Sequence, residues 1–86
     1  MGINILSQDK KTLVNYRNVV EISIMPKYMK GSIPEIWWEI IAYYSVADSY
    51  YVLNTILAKY DTEEECQKYF DILINEIANR NEFIAI

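Results

Sequence analysis

The sequence predicts an α+β fold in which a small antiparallel β-sheet of four to five strands precedes one C-terminal amphipathic helix packed on one face. Apolar residues up to Lys59 tend to alternate, as in strands, whereas those after Tyr60 recur every three or four residues, as on a helix. Between the two patterns, Thr62 and Glu65 have the spacing of a helix-capping box. A chain of 86 residues is expected to form a single domain, 1–86, with one core.

The N-terminal segment has the pattern of a hairpin or of two short edge strands. Residues 3–6 are largely apolar and predict a short strand, and the polar stretch 7–11 predicts a turn. Residues 12–14 resume an extended pattern, and 15–18 form a second polar corner.

Three longer strands are predicted in the middle of the chain. Residues 19–25 alternate clearly, and Pro26 is expected to end the regular pairing or to lie on an edge. A loop is predicted at 29–34, followed by the longest strand at 35–46, a tight connection at 47–49 and a returning strand at 50–59. The last strand has no clearly polar side, and a bulge near Asn54 could switch its inward face.

The C-terminal helix is predicted to start at Thr62. The positive end of its dipole favours the three glutamates that follow in the first turn. Its apolar stripe is formed by Cys66, Tyr69, Phe70, Leu73, Ile74 and Ile77. The helix is expected to end near 79–81. The apolar tail 83–86 is compatible with a helical turn, a short strand or a segment that packs on a partner.

Composition argues against several classes of function. The net charge is −4, with +1 on residues 1–59 and −5 on residues 60–86. The chain thus lacks the Lys and Arg clusters that nucleic-acid binding requires. There is no histidine, and the single Cys66 lies on the apolar stripe, so no catalytic set, cofactor site or metal site is expected. The N-terminus shows no signal-peptide pattern and no apolar run spans a bilayer, so we expect a cytoplasmic protein without a membrane contact.

Two segments resemble small uncharacterised proteins of Firmicutes and of their phages and mobile elements. One is residues 5–15, ILSQDKKTLVN, and the other is 60–65, YDTEEE. The resemblance covers about a third of the chain and implies a few strands followed by one helix. It implies no catalytic residues, and the aromatic segment 34–51 departs from the pattern.

Aromatic and apolar residues predict a second, uncovered face of the sheet, because one helix covers only one face. Trp37, Ile41 and Tyr43 share a strand face, and Tyr51, Leu53 and Leu57 could join them from the neighbouring strand. Three readings stay open: the sheet's coiling or the tail 83–86 covers this face, a second copy of the chain covers it, or a different protein binds it.

These observations predict a non-enzymatic protein-interaction module whose partner is either itself or a host protein complex. In the form that the resemblance suggests, it inhibits a host defence or nuclease complex, and the acidic surface at Asp61, Glu63 and Glu64 meets a nucleic-acid-binding groove. The alternatives are a homodimeric accessory protein and, with the least support, a small-ligand binder or enzyme.

Overall fold

The computed structural model describes residues 2–33, 35–45 and 52–86, which contain six strands and one helix in two three-stranded sheets. The elements are β1 (Asn4–Leu6), β2 (Leu13–Asn15), β3 (Val19–Met29), β4 (Glu35–Ser45), β5 (Val52–Tyr60), α1 (Glu63–Ala78) and β6 (Phe83–Ala85). The α+β class and the helix after the main strands are confirmed. The prediction of one sheet with four to five strands is wrong, because β1 and β2 pair with β6 in a separate sheet.

The small sheet has the strand order β2-β1-β6. β1 runs antiparallel to β2 and parallel to β6, which places Ile5 between Val14 and Ile84. All three side chains are buried in the core. The C-terminal tail is therefore a strand that completes this sheet, which was one of the three alternatives.

The large sheet is antiparallel, with the order β3-β4-β5. β3 continues through Pro26 to Met29 and lies at the edge of the sheet, so the second of the two predictions for Pro26 is confirmed. This is possible because β3 is an edge strand, where a missing backbone N–H need not break a ladder bond. The predicted connection at 47–49 lies outside the described residues.

Helix α1 begins and ends where the sequence predicts. The Thr62 Oγ1 atom accepts a hydrogen bond from the Glu65 N–H at 3.2 Å, which satisfies one of the free donors of the first turn. At the other end, the Arg80 and Asn81 N–H groups donate to the Ile77 and Glu76 carbonyls at 3.0 and 3.2 Å. This is a Schellman motif, with Arg80 in the left-handed region at φ 58°. In the described part of the chain, no helix is long and apolar enough to cross a membrane.

The core lies between one face of the large sheet and a layer formed by α1 and the small sheet. Ile40 and Ala42 of β4 pack there with Cys66 and Leu73 of α1, and all four side chains are buried. The Cα atoms extend 48 × 30 × 19 Å, and the shortest extent corresponds to these two layers. Both covering elements therefore use the same face of the large sheet.

A bulge in β5 changes which of its side chains enter the core. The register shifts between Ile40 and Ile41, so that Leu57 has no direct partner on β4. The turn after β1 binds this bulge: the Gln8 N–H donates to the Leu57 carbonyl at 2.7 Å, and Gln8 Oε1 accepts from the Lys59 N–H at 2.9 Å. Gln8 thus bonds two backbone groups of β5 next to the bulge, and these bonds connect the two sheets.

Candidate protein-interaction surface

The face of the large sheet that lies opposite α1 carries three of the six residues predicted to bind a partner. We call it the open face. Its central part in the described residues consists of Ser23, Met25, Trp37, Glu39, Ile41, Tyr43, Asn54, Ile56 and Lys59, and Glu21 and Lys27 of β3 lie on the same face as the partners of Tyr43 and Trp37. Among the described elements, α1 and the small sheet both pack on the other side. Ile41 is only 4% exposed but lies outside the main core, so its burial arises on the open face itself.

Trp37 is held on the open face by two polar neighbours. Its Nε1–H donates to Glu39 Oε2 at 3.0 Å, and the Lys59 Nζ atom lies 4.6 Å from the centre of its ring. Glu39 and Lys59 are direct cross-strand partners on β4 and β5. Glu39 is only 6% exposed, and a buried carboxylate needs hydrogen-bond donors. The indole N–H of Trp37 is one such donor. The indole ring is consequently fixed while remaining half-buried rather than enclosed.

The middle of the open face is mainly apolar. The Tyr43 hydroxyl donates to Met25 Sδ at 3.2 Å, which links β4 to β3 across this face. Ile41 lies directly between Ser23 of β3 and Ile56 of β5. Ile56 is 51% exposed, so an apolar strip continues from the buried Ile41 to the surface.

The structure describes five of the six predicted surface residues and places them on both faces of the large sheet. Trp37, Ile41 and Tyr43 share the open face, as the alternation along β4 predicts. Tyr51 lies outside the described residues. Leu53 pairs with Tyr44 and belongs to the other face, and Leu57 is buried in the core. Grouping these two leucines with Trp37 is therefore wrong, because the bulge at Leu57 shifts the alternation of β5.

Sequence reasoning missed a second apolar surface at the end of the β3–β4 hairpin. This hairpin tip consists of Pro26, Tyr28, Met29, Ile33 and Ile36, all of which are exposed. Tyr28 pairs with Ile36 on the same side as the core, but beyond the part that the helix covers. The sequence contains a signal for this surface. Large apolar residues alternate from Ile36 to Ile40, and this row begins outside the part of the strand that one helix can cover.

The predicted acidic surface lies at the start of α1. Asp61, Glu63 and Glu64 are exposed there, next to Tyr60, whose ring stacks on Tyr69 at 5.0 Å. Burial raises the pKa of Tyr60 to about 12, and the neighbouring Cys66, Tyr69 and Glu65 act in the same direction. Burial, followed by the charge of Glu63, also raises the pKa of the Cys66 thiol.

The described residues contain no group of three or more His, Cys, Asp or Glu side chains that could hold a metal ion. The acids at the start of α1 are instead explained by their place in the first helical turn, where the helix dipole favours negative charge.

Comparisons with protein families, with curated proteins and with solved structures find no match to this chain. The resemblance of its two end segments to small phage and mobile-element proteins stays a prediction.

Proposed function

We propose that this protein is a non-enzymatic interaction module that binds another protein through the open face. One observation carries the proposal: the β3–β4 hairpin has large apolar side chains on both faces, whereas α1 and the small sheet cover only one. Contiguous apolar surface that a small chain leaves uncovered is typical of a binding site. The site of action that the sequence favours is the cytoplasm.

The chemistry of the open face suits protein recognition. Trp and Tyr are the residues that most often dominate binding energy at protein interfaces. Trp37 is already fixed by Glu39 and Lys59, so binding would cost little of its rotamer entropy. The charged groups beside it would form the polar rim that surrounds such aromatic anchors.

The size of the face restricts the partner. A strand of 11 residues at about 3.4 Å per residue is roughly 37 Å long, and three strands are roughly 14 Å wide. The resulting area of about 500 Å² is smaller than the roughly 800 Å² per partner of a standard interface. A stable partner would therefore cover the whole face and extend around the end of the β3–β4 hairpin, because Tyr28 and Ile36 of the hairpin tip lie on the other side of the sheet.

A second candidate function is self-association through the same face, because a flat sheet face can pack on its symmetry mate. A more specific form of the first candidate is the inhibition of a host defence or nuclease complex. It is supported by the resemblance and by the exposed acids at the start of α1.

A matched pair of substitutions on β5 tests the proposal. Ile56→Lys places a charge on the open face, whereas Leu53→Lys places the same charge on the opposite face of the same strand. The two positions are 51% and 44% exposed, so both substitutions should leave the fold intact, as circular dichroism would verify.

The solution mass decides between the two candidates. A dimer that Ile56→Lys dissociates and Leu53→Lys preserves would support self-association. A monomer that captures a host protein, and loses it only with Ile56→Lys, would support binding to another protein. Equal behaviour of the two variants in both assays would contradict any role of the open face.

A further inference from the structure

A groove at the end of the small sheet brings together the only two arginines of the chain. It has a volume of about 690 Å³, within the range of small-molecule sites. Gly2 and Ile3, just before β1, line the groove. Arg17, from the segment after β2, and Arg80, from the segment after α1, line it too.

Backbone hydrogen bonds on both sides of β1 hold the two segments that carry the arginines. On one side, the Tyr16 N–H donates to the Ile3 carbonyl at 2.8 Å. On the other, the Asn4 N–H donates to the Glu82 carbonyl, also at 2.8 Å. The segment before β3 and the segment between α1 and β6 are therefore positioned against the same strand, which makes the groove a fixed feature of the fold.

Close packing also fixes the position of Arg17. Asn15 Oδ1 accepts a hydrogen bond from the Arg17 N–H at 3.0 Å and starts a single 3-10 turn, Tyr16–Asn18. A Cβ atom on Gly2 would lie 3.2 Å from that oxygen, tighter than an ordinary contact. Glycine at position 2 thus leaves room for the Asn15 side chain that bonds the Arg17 backbone.

Arg80 occupies a position that does not favour arginine. Its φ of 58° is left-handed, and glycine is the usual residue at this point of a Schellman motif. A basic residue is also uncommon in this part of the chain, because residues 60–86 carry a net charge of −5. A strained backbone that carries a charged side chain into a groove is a pattern of functional sites.

We propose that this groove binds a small phosphate ester, with the phosphate between Arg17 and Arg80 and the body of the ligand against Ile3, Tyr16 and Ile77. Two guanidinium groups offer paired donors, and a phosphate monoester has three terminal oxygens to accept from both. Ile3 and Ile77 provide apolar contacts, and Tyr16 provides an aromatic ring on which a flat group can stack.

The charges select one phosphate group rather than a nucleic-acid strand. Glu82 lines the same groove, so the two guanidinium groups and this carboxylate together carry only one net positive charge, enough to favour a single anionic group. The chain as a whole carries −4, and the described groove contains two bases rather than a basic row. The ligand class is therefore a monophosphate with a partly apolar body.

Titration of the ¹⁵N-labelled protein with adenosine 5′-monophosphate, adenosine, inorganic phosphate and acetate at constant ionic strength tests the proposal. We expect the monophosphate to shift the backbone amides of Gly2, Tyr16 and Arg80. Adenosine and acetate should bind at least tenfold more weakly. Inorganic phosphate should also bind more weakly, because it lacks the body that contacts Tyr16.

Two variants and one control complete the experiment. Arg17→Ala and Arg80→Gly should each weaken binding of the monophosphate at least tenfold, whereas Lys68→Ala, which removes a base on α1 outside the groove, should not. Arg80→Gly is decisive, because glycine suits the left-handed position and the loss cannot come from unfolding. Unchanged binding by Arg80→Gly, shifts spread over the surface lysines, or acetate binding as strongly as the monophosphate would each overturn the proposal.

Discussion

The left-handed conformation of Arg80 makes a quantitative prediction about stability. A residue with a Cβ atom loses about 1–2 kcal/mol in this region relative to the right-handed one. Glycine avoids that cost but loses about 0.4–1 kcal/mol through the greater freedom of its unfolded chain. Taking the middle of each range, Arg80→Gly should therefore be more stable than Arg80→Ala by about 0.8 kcal/mol, which for a domain of this size raises Tm by roughly 3–6 °C.

The comparison with alanine separates the backbone from the side chain. Both variants lose the favourable interaction of a cation with the C-terminus of α1, so this contribution cancels between them. Urea unfolding followed by tryptophan fluorescence, with equal slopes for the two variants, would give the difference directly. If the alanine variant is as stable as the glycine variant, the residue at position 80 does not restrain the end of α1 in the way described.

Three further predictions concern the start of α1 and the residues around it. Thr62→Ala removes the acceptor of the Glu65 N–H and should cost about 1 kcal/mol in urea unfolding, whereas Thr62→Ser should cost much less. The pKa of Tyr60 is raised to about 12, so the burial of its neutral hydroxyl stabilises the fold fully below pH 10, and this stabilisation is lost as the pH rises through 12. Ultraviolet titration should show a late-titrating tyrosine signal that Tyr60→Phe removes. The Cys66 thiol is buried and its pKa is raised, so it should react with a thiol reagent only as fast as the chain unfolds, and rapid labelling of the folded protein would contradict its place in the core.

Local signals in the sequence were sufficient to predict the helix and the main strands. Thr62 with Glu65 places the start of α1, because an N-cap acts on backbone groups within its own turn. The alternation along β4 separates Trp37, Ile41 and Tyr43 from Ile40 and Ala42, since a strand turns successive side chains to opposite faces.

Features that depend on distant partners could not be predicted in this way. The pairing of β1 with β6 joins the two ends of the sequence, and neither strand carries a signal for the other. The bulge at Leu57 depends on Gln8, which supplies hydrogen bonds from the turn after β1. The groove between Arg17 and Arg80 has the same origin, because its two sides meet only after β1 has been placed between them.

The parallel strand β6 has a consequence for how the chain is made. β1 is synthesised well before β6, which is one of its two neighbours in the small sheet. Ile84 is also part of the core, so the core cannot close until that residue has left the ribosome. During translation the nascent chain therefore carries an unpaired edge of β1, an exposure that chaperones and fast completion of synthesis would limit.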